Sequence, residues 1–279
     1  MSSQRLSILM YHRVLAAPDA LLPSLPDIRR FDRQMALLKR CFHVLPVTRA
    51  LSLLQQQRLP PRAACITFDD GYADNAEYAL PILHKHGLSA AFFIASGYLD
   101  GGQMWNDDVI DHARQAGVGP RALDRLLLEL KYLPFEQRQR AARAMAPPRR
   151  QELMLCSPQV RALHAAGMEI GAHTHRHPIL SAMPDGEALA DIQQGKTALE
   201  SILQAPVTLF AYPNGKPGRD YQQRHIDMAR ALGFDAAFST VAGSAYDGSD
   251  LMQLPRFTPW EPDRLRFLLR LLAQRRVAV

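Results

Sequence analysis

The sequence predicts an α/β fold in which about seven parallel strands, wrapped by helices, close into a (β/α) barrel, and three observations carry that expectation. Short apolar runs alternate with amphipathic helical patterns along the whole chain, as they do where each strand is joined to the next by a covering helix. Two of the runs end in clusters of acids or histidines, at 66–72 and 168–178, and functional groups of a barrel collect at the C-terminal ends of its strands. The alternation by itself fits an open sheet equally well; the strand-end clusters favour the closed form. The third observation is bulk: 279 residues with 47% hydrophobic and 22% charged make an ordinary globular balance, enough to bury the core of one domain spanning 1–279.

Taken in order, 7–11 reads as the first buried strand, followed by a loop containing Pro18, Pro23 and Pro26. Phe31, Met35 and Leu38 recur at helical spacing. A strand is expected at 42–45 and a helix at 48–57, with Thr48 placed to cap it. Residues 65–68 form the next strand and 74–86 a helix that Pro81 must either kink or begin. A strand at 90–95 follows. Further strands are expected near 168–172, 207–212, 235–239 and 253–257, separated by helices near 158–166, 186–204 and 221–232. Between the fourth strand and the fifth, residues 101–156 exceed what one barrel unit needs. They read as an insertion of three helices, at 106–116, 121–132 and 135–145, with Pro134 suited to start the third. Such an insertion either shapes a substrate groove beside the mouth or serves as a structural cover.

The run 63–68 leads directly into Asp69, Asp70 and Gly71. Neighbouring residues of a strand point to opposite faces, so adjacent acids at its end can serve one site in different ways. Two ionised carboxylates repel, and a cation held by one of them removes that difficulty while the other stays free as a base. The missing ligands are found about a hundred residues on, in His173-Thr174-His175-Arg176-His177. One carboxylate and two imidazoles suit a divalent metal with open positions. Taken separately, Asp-Asp-Gly is a common turn and the histidines could be a surface cluster; their joint placement at the ends of apolar runs argues for a site.

These segments resemble the first two motifs of the NodB-type polysaccharide deacetylases, carbohydrate esterase family 4. Thr67-Phe68-Asp69-Asp70-Gly71-Tyr72 stands for the first and His173-Thr174-x-x-His177 for the second, while Phe210-Ala211-Tyr212-Pro213-Asn214-Gly215 stands in the place of the third. The resemblance implies a distorted barrel and removal of N-acetyl groups from amino sugars of a glycan, with release of acetate. It implies Asp70, His173 and His177 as ligands of a divalent metal, zinc first, with cobalt, nickel or iron as alternatives. Asp69 would be the general base, the Asn214 N–H an oxyanion donor, and Thr174 the residue that steadies the histidine loop. His175 is surplus to the motif and is expected to be a bystander. Tyr72, Trp105 and Tyr212 are the candidates for sugar contact, since an aromatic face suits a pyranose.

Two departures matter. Ala211 stands where the family has the arginine that orients the base; Arg256, at the end of the 253–257 run, is expected to replace it by pairing with Asp69. A histidine near the C-terminus that would protonate the leaving amine is missing after residue 240, which leaves His12 and His225 as candidates. Tyr11-His12 and the arginine-less third motif are similar to the poly-N-acetylglucosamine branch of exopolysaccharide deacetylases.

The formal charge of +6 comes from scattered arginines rather than a basic block, so no nucleic-acid partner is expected. Three widely spaced cysteines read as reduced core residues. The N-terminal apolar run is too short for an export signal and no run approaches a membrane span, so the reading expects a cytoplasmic protein. Leu265, Leu268, Leu269 and Leu272, flanked by Arg264, Arg266, Arg270, Arg275 and Arg276, form a stripe for a closing barrel helix or for peripheral contact with the inner membrane face. Trp260 is read either as a sugar platform or as an anchor. Rival functions are an inactive glycan-binding barrel, suggested by the two departures, an O-acetyl esterase acting on a glycan, and a non-haem iron oxygenase with similar ligands. Oligomeric state is not legible in the sequence.

Overall fold

A computed structural model describes residues 4–145, 152–275 and 277. Strand β1 (Leu6–Tyr11) is wholly buried, and after helix α1 (Ile28–Cys41) come a two-residue strand β2 (His43–Val44), helix α2 (Val47–Gln55) and strand β3 (Ala63–Phe68). Helix α3 (Leu80–His86), strand β4 (Ala91–Ile94), the insertion and helix α7 (Ser157–Ala165) lead to strand β5 (Glu169–Ala172). Helix α8 (Asp185–Leu203), strand β6 (Leu209–Ala211), helix α9 (Gln223–Ala231), strand β7 (Ala236–Phe238), strand β8 (Ser244–Ala245) and helix α10 (Arg264–Gln274) complete the chain.

The sheet runs β7-β6-β5-β4-β3-β1-β8, with β2 paired to β3. All of these pairings are parallel except that of β8 with β1. The expected strand at 253–257 is present only as isolated bridges, Phe238 with Leu254 and Leu9 with Phe257, both parallel. Pro255 between them has no N–H to give to a ladder, which accounts for the interruption. The segment lies in the gap between β7 and β1: the Leu254 N–H donates to the Ala237 carbonyl and the Met10 N–H to the Phe257 carbonyl, each at 2.9 Å. The curled sheet is thereby drawn into a distorted barrel.

Strand alternation divides the core in two. Ala64, Ile66 and Phe68 of β3 pack outward with the covering helices, in one cluster with Phe31 of α1 and Leu83 of α3. Ala63 and Cys65 face the interior with Phe93, Ala211 and Phe238. Leu51 and Leu54 of α2 belong to that interior cluster, so this helix closes one end of the barrel. Its cap differs from the expectation. Thr48 lies inside the helix, and the carboxylate of Glu169 accepts the Thr48 N–H at 2.9 Å. Pro46 precedes the helix and has no side-chain oxygen to offer, so an acid from the start of β5 supplies the negative charge that a helix N-terminus favours.

Pro81 sits in the first turn of α3, directly after a π-helical turn at Asn75–Ala79. The proline cannot donate to an i−4 carbonyl, and the Leu80 N–H reaches back five residues to the Asn75 carbonyl. The three inserted helices are α4 (Trp105–Gln115), α5 (Pro120–Lys131) and α6 (Phe135–Met145). They share a small core of their own around Trp105, Val109, Leu123 and Ala142; residues 146–151 of the insertion lie outside the described residues. On α10 the docking face is Phe267 and Leu271, while Leu265, Leu269 and Leu272 are exposed and Leu268 is only partly covered. The predicted stripe is thus rotated away from the barrel, because one turn's aromatic residue, Phe267, outweighs the leucines in filling the space against α1. Arg276 lies outside the described residues. Among the described residues no helix is long and apolar enough to cross a membrane.

Candidate active site

At the end of β3 the Asp69 N–H still donates to the Tyr11 carbonyl, at 2.9 Å, so Asp69 continues the inner face occupied by Cys65 and Thr67. The backbone then enters the left-handed region at two consecutive residues, Asp70 (φ 77°) and Gly71 (φ 90°). This turn brings the side chain after Asp69 to the same cavity instead of to the opposite face. A Cβ on Gly71 would fall 2.9 Å from Ile94 Cγ2, so the position excludes larger residues on space as well as on dihedral angle.

The histidine loop after β5 carries the same feature, with Thr174 (φ 62°) and His177 (φ 53°) both left-handed. Such backbone persists only where its surroundings hold it. The Thr174 hydroxyl accepts the His177 N–H at 3.1 Å. The buried Asp191 of α8 accepts the His175 N–H and the Arg176 N–H, both at 2.9 Å, and the Arg176 Nε–H at 2.6 Å. Gly195, one turn further along α8, lets the helix press on the loop: a Cβ there would lie 2.6 Å from the Thr174 carbonyl oxygen.

These two loops bring Asp70, His173 and His177 together, one ligand atom from each lying within 4.8 Å of the others. Asp70 Oδ1 is 3.5 Å from His173 Nε2 and 3.4 Å from His177 Nε2. His173 donates its Nδ1–H to the Ala211 carbonyl at 2.7 Å, which leaves the Nε2 lone pair facing the cluster, as a metal ligand requires. Burial pushes the pKa of His177 down to about 3, with Asp70 opposing and His173 and Arg138 adding to the shift, so this ring is a neutral donor at ordinary pH. Burial would raise Asp70, but the imidazoles around it, His173 first, hold it well below the usual carboxylate range. A carboxylate kept ionised beside two imidazole lone pairs fits a divalent cation.

Asp69 is held from the other side. The Arg256 guanidinium donates from both terminal nitrogens, 2.7 Å to each carboxylate oxygen. Two further donors reach the Ser239 carbonyl at 3.0 Å and the Thr67 hydroxyl at 3.2 Å. Arg256 is completely buried, between the rings of Phe93 and Phe238. Burial would raise the pKa of Asp69, but Arg256 first and His173 next outweigh it and lower it. The Asp69 carboxylate therefore stays ionised and directionally fixed.

A cavity of about 470 Å³ opens above this group and is lined by His12, Asp69, Asp70, His173, His177 and Asn214, with Trp105 on the insertion side. Asn214 has φ 62°, and its carbonyl accepts the Thr240 hydroxyl at 2.7 Å. Asn75 Nδ2 donates to the His12 carbonyl at 2.9 Å. His225 is not brought to the cavity: its Nδ1 accepts the Gln222 N–H at 2.9 Å in the first turn of α9, and burial lowers its pKa to about 4. Tyr72 and Tyr212 also do not line it. The Tyr72 hydroxyl is buried against Asp107 at 3.2 Å, and Tyr212 stacks on Tyr221 at 3.9 Å while donating to the Met252 carbonyl. His175 Nδ1 pairs with the Ser96 hydroxyl at 2.9 Å, outside the cluster of three. Trp260 is half-exposed with the Arg270 guanidinium 3.5 Å from its ring centroid, on the α10 side of the molecule.

The family model for polysaccharide deacetylases matches residues 56–237, and the chain belongs to that family. It is a hydrolase of a family whose members are metal-dependent and act on glycans. YxkH of Bacillus subtilis (strain 168) is 21% identical over 254 residues, which is 90% of this chain and 70% of that protein. Among solved structures, IcaB from Ammonifex degensii superposes with a TM-score of 0.68 at 20% identity, covering 97% of each chain. Streptococcus pyogenes deacetylase PplD, solved in complex with acetate, gives 0.65 at 20% identity over 92% of this chain and 93% of that one. At such identities the two structures bear on the fold, which they share.

Proposed function

We propose that the protein removes N-acetyl groups from amino-sugar residues of a glycan, an exopolysaccharide or its precursor. The observation that carries the reading is the pairing of an Asp70-His173-His177 cluster with an Asp69 carboxylate clamped by Arg256 in one cavity. Those three residues would hold the divalent ion, zinc by ligand type, which when bound supplies a water of lowered pKa and polarises the acetamide carbonyl. Asp69 takes the proton of the attacking water. Arg256 keeps that carboxylate ionised and pointed. The Asn214 N–H, on a peptide fixed by Thr240, donates to the oxyanion that develops on the acetamide oxygen. His12, on the cavity wall and pinned through its carbonyl by Asn75, returns a proton to the departing sugar nitrogen. Trp105 offers its indole to the sugar ring.

The inactive-barrel rival drew support from the alanine at 211 and from the missing C-terminal histidine; Arg256 seated on Asp69 removes the first of these and leaves the second to His12. Acetate release from N-acetylated chito-oligomers with zinc or cobalt added tests the reading, alongside O-acetylated glycans as substrates. Release from O-acetyl esters alone would replace the amidase by an esterase, and silence on every glycan with metal bound would restore the binder. The exposed leucines of α10, next to Arg264 and Arg266, support a peripheral contact with anionic lipid. Co-sedimentation with anionic but not neutral vesicles is the expected result.

A further inference from the structure

The inserted helix α5 turns one face to the cavity through Asp124, Leu127, Leu128 and Lys131, spaced i, i+3, i+4 and i+7 as a single helical stripe requires. Leu128 is 58% exposed although it is a large apolar side chain, which fits a wall meant to meet a ligand. Lys131 closes the stripe at the end opposite Asp124. Its ammonium stands 5.5 Å from the neighbouring Tyr132 ring and makes no hydrogen bond or ion pair with any described residue. The groups around it are mostly cationic. Lys216, Arg219 and Arg138 all repel its charge, and together with burial they lower its pKa, against the pull of Asp220. Arg219 itself lies 3.9 Å over the Tyr132 ring. Asp220 is the acid that opposes them, and one of its carboxylate oxygens accepts the Lys216 N–H at 3.0 Å.

A partly desolvated ammonium with three cationic neighbours against a single acid is costly, and a neutral glycan packed against it would remove more of its water and give nothing back. An anion would reverse the balance. We propose that Lys131 forms an anion subsite in the deacetylase cavity, so that the substrate is an acidic glycan whose acetylated sugar, or the unit next to it, carries a carboxylate or phosphate. This rests on the deacetylase reading and names the substrate class for it. Lys131 is a specificity residue: it meets the substrate's charge and takes no part in moving protons.

The test measures kcat/KM for acetate release from three substrates: a neutral N-acetylglucosamine oligomer, an oligomer containing N-acetylmuramic acid, and N-acetylglucosamine 1-phosphate. The last two separate a carboxylate from a phosphate as the source of charge. Wild-type protein should prefer one acidic substrate, and Lys131→Met should cut the acidic-to-neutral ratio at least about tenfold, as removal of one partner of a desolvated charge pair does. Lys131→Arg should restore most of that ratio, and added salt should lower it in the wild type but not in Lys131→Met. A ratio that moves less than about twofold in Lys131→Met, or a wild-type preference for the neutral oligomer, overturns the subsite. If none of the three releases acetate, the deacetylase reading fails, and calorimetric binding of the same sugars decides the subsite separately. Acidic sugars must then bind wild type more tightly than Lys131→Met, and equal binding overturns it.

Discussion

At the scale of single residues, the site divides its two adjacent acids by what each touches. Asp69→Asn should keep the metal, measured by elemental analysis, while turnover falls roughly 10² to 10⁴, the usual worth of a positioned base; loss of metal instead would reverse the roles of the pair. Arg256→Lys keeps the charge but not the two-pronged contact, so turnover should fall at least about tenfold, and its effect should be far from additive with that of Asp69→Asn. A third prediction concerns Asp107, which is 2% exposed and whose carboxyl burial pushes up to about 7, with Arg13 opposing and Asp70 adding. Between the ordinary carboxylate range and pH 7 the folded protein holds a proton that the unfolded chain has lost, so this group makes stability fall as pH rises through that window. Asp107→Asn still accepts from the Tyr72 hydroxyl and lacks the titration. Its unfolding free energy from urea titration should exceed that of the wild type at pH 8 and approach it near pH 4, the gap being on the order of 4 kcal/mol at about 1.4 per unit. Parallel pH profiles would refute it. Asp69, Asp70 and the histidines could be singled out in the sequence because each group is contiguous at the end of an apolar run. Arg256 could be sought because an arginine was missing at 211. Tyr212 shows the opposite case: Ala211 faces the barrel interior, so strand alternation already sends the next side chain outward, a consequence that motif matching ignores.

At the scale of elements, helix α8 is the part that a motif-led reading passes over. Ala188, Asp191, Ile192, Gly195 and Leu199 share its buried face, and an acid and a glycine on an otherwise apolar stripe are a sequence signal for a job other than packing. Asp191 gathers the amides of the histidine loop, and Gly195 admits that loop to the helix surface. Gly195→Ala should therefore displace Thr174 and weaken metal affinity about 10- to 100-fold, the scale seen when groups supporting metal ligands are changed, with the far-ultraviolet spectrum unchanged. Gly186→Ala on the same helix, where a Cβ meets nothing within 4 Å, is the control and should leave metal affinity as it is. Helices and strands were legible to within a residue or two wherever an apolar period ran uninterrupted. Prediction failed where one residue's chemistry breaks the period, as with the π turn ahead of Pro81 and the cap that Glu169 provides from a distant strand. The outward roll of the α10 leucines was hidden for another reason: a stripe of leucines announces an apolar face without saying which neighbour is large enough to claim it.

At the scale of the whole molecule, the circle of strands has one weak junction. Five parallel strand pairings, β1 with β3 through β6 with β7, are continuous ladders or pairs within the sheet, whereas β7 and β1 are joined through a segment interrupted by Pro255. Phe257, 2% exposed, anchors that segment, and Phe257→Ala should cost about 3 to 5 kcal/mol in chemical unfolding, the range for a buried phenylalanine. The same segment carries Arg256. A junction with few ladder bonds opens more often than a continuous sheet does, and each opening sets the guanidinium free from Asp69. Turnover thus doubles as a gauge of local breathing: in mild urea, activity should decline before circular dichroism does, and amide exchange at Leu254 and Phe257 should quicken over that same interval.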